Sequence, residues 1–103
     1  MGIPEHPVCS LAELEARSAV AVDVGERRIA VFLHDGRIYA LSETCPHRGG
    51  PLHLGQVREG IVRCPWHLWQ FDLATGRSPV NPNSCVPTYP VRVENGTVLA
   101  RVP

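Results

Sequence analysis

Two short stretches decide how this chain reads: Cys45-Pro46-His47-Arg48-Gly49-Gly50-Pro51-Leu52 and Cys64-Pro65-Trp66-His67-Leu68-Trp69-Gln70-Phe71. Each opens on a cysteine and carries a histidine two or three positions later, and sixteen residues separate His47 from Cys64. Thiolates and imidazoles are donors that hold transition metals. A structural zinc site of two cysteines and two histidines usually takes its cysteines from one turn and its histidines from another. Here each loop supplies one of each, which suits a two-metal cluster in which each loop gives one ligand to each metal. Ligand chemistry alone leaves zinc open. Surface histidines and a catalytic Cys–His pair explain the two matched pairs less well.

The neighbours of the four residues fit such a site. Gly49 and Gly50 let the backbone come close, so that amide N–H groups can point at cluster sulfides. Both also fit a plain tight turn. Pro46 and Pro65 each follow a cysteine and stiffen its loop.

Outward from the loops the pattern is that of short strands. Val20, Val22 and Val24 alternate with Ala21 and Asp23, and Ile29, Val31 and Leu33 alternate with Ala30 and Phe32, which predicts strands with one face buried. Asp35-Gly36 predicts a two-residue hairpin turn with a return strand over 38–41, and Asn95-Gly96 predicts another between Val91, Val93 and a return over 97–102. Between the ligand loops, Glu59-Gly60 predicts a small hairpin with Val57 and Ile61-Val62 as its arms. Ser10-Leu11-Ala12-Glu13 fits a capping box and predicts a short helix over 11–17. The expectation is a single domain, 1–103, of all-β class: an antiparallel sandwich or barrel base. A small cluster-binding insertion of two loops, at about 43–72, interrupts that base.

The chain has 103 residues, with ten acidic residues balanced by ten basic ones, every one an arginine. No charge run points to nucleic acid or to a membrane surface. No apolar run approaches the ~18 residues of a membrane span, and the first residues lack a secretory pattern. A soluble, cytoplasmic protein is expected. Cys9 and Cys85 are then expected to be reduced, partly buried thiols rather than a disulfide.

The two ligand motifs, the second continuing into Asp72-Leu73-Ala74-Thr75-Gly76, closely resemble those of soluble bacterial Rieske-type ferredoxins. Similar sequences are ferredoxin components of ring-hydroxylating dioxygenases and small subunits of NADH-dependent nitrite reductases. The resemblance runs over about 20–102 and includes the hairpin at Tyr89-Pro90-Val91-Arg92-Val93-Glu94-Asn95-Gly96. It implies one [2Fe–2S] cluster, with Cys45 and Cys64 on a buried iron and His47 and His67 on an outer iron. It implies an electron carrier, not an enzyme in itself, that passes one electron from a reductase to a terminal oxygenase. Alternatives are the electron-entry subunit beside a nitrite reductase large subunit and, from another class, a zinc-stabilised interaction module. A Rieske protein is brown-red and a zinc protein colourless.

The resemblance also carries differences. Respiratory Rieske proteins bridge two further cysteines, at positions that here hold Gly50 and Trp66. They place cluster-bonding hydroxyls where this chain has Trp69 and Phe71. Both differences imply a low potential, because hydrogen bonds to sulfur stabilise the more negative reduced state. Trp66 and Trp69 are expected to shield the cluster. Residues 81–87 are expected to form a third loop packed over it. Arg48, His53 and Leu68 are expected to line the face where a partner docks, with His53 on an exposed loop.

Overall fold

The computed structural model describes residues 2–45, 50–66, 69–81 and 83–103. In chain order these form β1 (Glu5–Ser10), α1 (Leu11–Arg17), β2 (Ala19–Val24), β3 (Arg27–His34), β4 (Arg37–Ser42), a 3-10 turn (Leu52–Leu54), β5 (Gln56–Arg58), β6 (Ile61–Arg63), β7 (Gln70–Asp72), β8 (Thr88–Tyr89), β9 (Val91–Glu94) and β10 (Thr97–Arg101). Among the described residues the strands make three antiparallel sheets, ordered β1-β10-β9, β2-β3-β4-β8 and β5-β6-β7. The all-β antiparallel expectation holds. Among the described residues no helix is long and apolar enough to cross a membrane.

Local chemistry explains the turns. Asp35-Gly36, Glu59-Gly60 and Asn95-Gly96 all have positive φ at both central residues, from 50° to 78°. That is the primed turn whose twist matches its flanking strands, and glycine takes its second position without strain. Helix α1 starts where Ser10 Oγ accepts the Glu13 N–H at 3.0 Å, the expected cap. It stops at Ser18, which has φ 68° and donates its N–H to the Leu14 carbonyl at 2.8 Å. Leu14 is the buried residue of the helix and enters the core, so α1 seals one end of the base.

Strand β1 lies outside the sequence reading. Pro7 sits within it, and a proline fits a strand only at an edge or bulge. Both apply here: among the described residues β1 pairs with β10 alone, and its register shifts between Pro7 and Cys9. Across this sheet Arg92 grips Glu5 at 2.7 and 2.8 Å, and the guanidinium holds the Glu5 carboxyl below its ordinary range.

The expectation of one buried face on β3 needs correction. Ile29, Ala30, Val31 and Phe32 are all essentially inaccessible to solvent. Ile29 and Val31 join Leu14, Val20, Ala40, Val98 and Ala100 in one apolar cluster. Ala30 and Phe32 join Leu41, Leu52, Val62, Phe71 and both ligand-loop cysteines in a second. The β2-β3-β4-β8 sheet is therefore a middle layer. The base packs on one side of it, and the segment carrying the two loops packs on the other.

Candidate metal centre

Each cysteine stands at the last position of an antiparallel neck. In the first neck the Leu52 N–H donates to the Glu43 carbonyl at 2.9 Å, Thr44 bridges Pro51, and the Cys45 N–H donates to the Gly50 carbonyl at 3.0 Å. In the second, Val62 pairs with Phe71, Arg63 pairs with Gln70, and the Cys64 N–H donates to the Trp69 carbonyl at 2.6 Å. Four residues of sequence lie between the ends of each neck, 46–49 in one case and 65–68 in the other. His47 and His67 are among them. They lie outside the described residues, as do Pro46, Arg48, Gly49 and Leu68.

The two necks meet. Cys45 and Cys64 are 1% and 0% exposed and belong to one apolar cluster with Leu52, Val62, Phe71, Leu73 and Val86. A side-chain carbon on Gly50 would overlap Cys64 Sγ, so the backbone leaving the first loop lies directly against the thiol that opens the second. The same carbon would stand 3.4 Å from Trp66 Cβ, just under the Cβ spacing of about 3.5–4.5 Å that a disulfide spans. The positions that are bridged in respiratory proteins therefore face each other here without a bridge. Two buried thiols at the ends of adjoining loops, each loop carrying an imidazole in its sequence, fit a [2Fe–2S] cluster bound by two cysteines and two histidines. Among the described residues no group of three or more His, Cys, Asp or Glu side chains offers another metal site.

Other expected residues fall in different places. Phe71 is fully buried beside the cysteines, and Trp69 is half-buried against the same cluster. Trp66, expected to shield, is 64% exposed and leaves most of its surface to solvent. In the third loop Ser84 and Val86 are buried, and Val86 packs in the cysteines' own cluster. Pro82 lies outside the described residues. Cys9 is half-buried, and burial pushes its thiol up from the ordinary value, with Glu13 adding to the effect. Cys85 is exposed rather than partly buried.

His53 is the main correction. Its ring Nδ1 is bonded to Glu43 Oε2, its backbone N–H donates to Glu43 Oε1 at 2.8 Å, and its side chain is only 22% exposed. The ring lines a groove of about 270 Å³ with Glu13, Arg17, Val20, Ala21, Val22 and Arg28. It is an anchored histidine under α1 and β2, not an exposed loop residue. Its partner Glu43, 3% exposed, was missed by the sequence reading. A lone carboxylate two positions before a cysteine has no periodic signal that marks it as buried.

Residues 5–90 match the Rieske [2Fe-2S] domain. The chain is 36% identical over 94 residues to the ferredoxin component of the alkene monooxygenase system of Xanthobacter autotrophicus, covering 89% of this chain and 76% of that one. It is 32% identical over 98 residues to the anthranilate 1,2-dioxygenase ferredoxin subunit of Burkholderia cepacia, covering 94% and 91%. The solved Sphingomonas yanoikuyae B1 ferredoxin superposes with a TM-score of 0.86 at 30% identity, covering 97% of this chain and all of that one. In some other matched proteins the same fold is part of a longer chain, of which this sequence spans about a third. The chain belongs to the Rieske [2Fe-2S] domain family.

Proposed function

We propose that the protein is an electron carrier that takes one electron from a reductase and delivers it to a terminal oxygenase, and does no bond chemistry of its own. The observation that carries this reading is the pair of necks. They bury Cys45 and Cys64 in one apolar cluster, each at the end of a neck whose ends are separated by four residues of sequence. The cluster, when bound, supplies a one-electron couple. Cys45 and Cys64 would hold one iron and His47 and His67 the other, and a partner would dock over the histidines beside Arg48 and Leu68. Glu43 has tied up His53, so His53 leaves the proposed docking set. Cytoplasmic residence belongs to the same proposal and is supported by Cys9 and Cys85, which stand outside any disulfide.

The test is reconstitution with a reductase and either an oxygenase or a nitrite reductase large subunit. Rapid delivery to the oxygenase is expected. Delivery only to the nitrite reductase would replace this reading with that of an electron-entry subunit.

The potential should lie near the bottom of the Rieske range, about −150 mV. Phe71 and Trp69 bring no hydroxyl to the cluster, and no disulfide joins positions 50 and 66. Phe71→Tyr adds a hydroxyl to a buried ring packed with Cys45 and Cys64. One hydrogen bond that strengthens by about 1 kcal/mol on reduction raises a one-electron potential by about 40 mV, since tenfold corresponds to about 59 mV. Protein-film voltammetry measures both values. A wild-type potential above zero at neutral pH would refute the argument from the missing donors.

Docking should depend on short-range fit, because a chain with zero net charge offers little long-range steering. Electron transfer to the partner should therefore weaken only slightly with salt. Arg48→Ala and Leu68→Asp should slow it with the visible spectrum unchanged. Arg101→Ala should do little, because Arg101 lies on β10, in the sheet on the far side of the middle layer from the cysteines. Stopped-flow mixing reads all three variants. A steep salt dependence, or a larger effect at Arg101, would move the docking face elsewhere.

A further inference from the structure

We propose that Glu43 is the positioning residue of the first ligand loop: its buried carboxylate, clamped by His53, fixes the neck that presents Cys45 and His47. This rests on the reading of those two residues as cluster ligands.

The asymmetry of the two necks motivates the proposal. The second is a true sheet, with Ile61, Val62 and Arg63 paired to Asp72, Phe71 and Gln70, and β5 on its other side. Its hairpin is also tied to the middle layer, where the Gly60 N–H donates to His34 Nε2 at 3.1 Å. Among the described residues the first neck is not a strand ladder but the isolated bridge between Thr44 and Pro51 with its two flanking bonds. Thr44 and Pro51 form the non-hydrogen-bonded pair of that bridge, flanked by the Cys45–Gly50 and Leu52–Glu43 bonds, so the missing Pro51 N–H costs the ladder nothing. The ladder stops at Glu43, whose own N–H turns to the Arg28 carbonyl, and the Glu43 side chain takes over the pairing. One carboxylate oxygen accepts the backbone N–H of His53, which carries the pairing one residue further, and the other engages the His53 ring.

Both ends of this strut are fixed to the base. The Glu43 N–H donates to the Arg28 carbonyl on β3 at 3.0 Å. The His53 ring sits in the groove beside Val20, Ala21 and Val22 of β2. A carboxylate as buried as this is costly unless it is hydrogen-bonded, and here both of its oxygens are. Without it, the His53 N–H loses its acceptor inside the protein and the first loop is held by backbone bonds alone. The second loop would keep its sheet.

The experiment uses the cluster-loaded protein. Iron release to a chelator is followed well below the unfolding temperature, together with the reduced-state EPR spectrum and amide exchange at Leu52 and His53. Glu43→Ala should speed release by about tenfold or more, as loss of a ligand-orienting partner does at other metal sites. It should also shift the EPR g values and expose the His53 amide. His53→Ala should act in the same direction but more weakly, because its backbone N–H survives, and should add nothing in the Glu43→Ala background. Glu43→Gln should recover most of the wild-type behaviour, since its carbonyl oxygen can still accept that N–H. Leu14→Ala, in the opposite core, should lower thermal stability without speeding release at the working temperature, which separates positioning from general weakening. Release and EPR unchanged in both Glu43→Ala and His53→Ala would overturn the positioning role and leave the cluster reading intact, as would effects that simply add. Should Glu43→Ala fail to fold, His53→Ala and Glu43→Gln test the same contact from its two sides. A wild-type protein without iron and sulfide would overturn the cluster reading, and the positioning role with it.

Discussion

Cys64→Ala and His67→Ala should each yield a folded protein that has lost the native chromophore, with iron and acid-labile sulfide falling from two each per chain toward background. Cys64 has no substitute nearby. Its thiol is fully buried at the end of the second neck, and no other grouping of ligand side chains exists among the described residues. The base should survive, because its core is separate. Leu14, Val20, Ile29, Val31, Val98 and Ala100 pack on the face of the middle sheet away from the cysteines. Far-UV circular dichroism should therefore keep its strand signature while the visible spectrum bleaches. Metal and sulfide analysis checks the result. Retention of the native spectrum in either variant would show that the ligand has been wrongly assigned.

Gly76→Ala should be the most destabilising of the small substitutions. Gly76 has φ +76°, and a side-chain carbon there would overlap the backbone carbonyl of Val86. The contact cannot be relieved cheaply, because the Gly76 carbonyl accepts the Val86 N–H and its own N–H donates to Asp72, both at 2.8 Å. Left-handed backbone costs a non-glycine residue about 1–3 kcal/mol, and forcing extra volume into a packed site costs about 1–3 kcal/mol more. A loss of about 2–6 kcal/mol is a large share of the ~5–15 kcal/mol that holds a domain together. Val86 packs in the cluster that buries both cysteines, so bound iron should become more labile as well. Urea unfolding measures the stability change. An unfolding free energy within about 0.5 kcal/mol of wild type, the range of neutral surface substitutions, would mean that the third loop is not held at Gly76.

What could be read in the sequence was local. The Asp-Gly, Glu-Gly and Asn-Gly turns need positive φ, and their neighbours in sequence supply the strands they join. The Ser10 cap and the two Cys-His motifs are equally local signals. What stayed hidden depends on contacts distant in sequence. Strand β1 finds its partner, β10, at the opposite end of the chain, and Pro7 argues against a strand until its edge position is known. Strand β8 is two residues long, too short for periodicity to register. The second buried face of β3 comes from loops that follow it, and alternation within Arg27–His34 cannot announce a cover supplied from elsewhere. In the site, the cysteines could be read because metal ligation restricts residue type and spacing together. Glu43 and His53 could not, since a carboxylate and an imidazole ten residues apart become a pair only when the neck folds back on itself.

EPR of the chemically reduced protein tests the central claim most directly. Two histidines on one iron should give a Rieske-type signal of about one spin per chain, with an average g value below that of an all-cysteine [2Fe–2S] cluster. An EPR-silent protein, or the signal of an all-cysteine cluster, would contradict it.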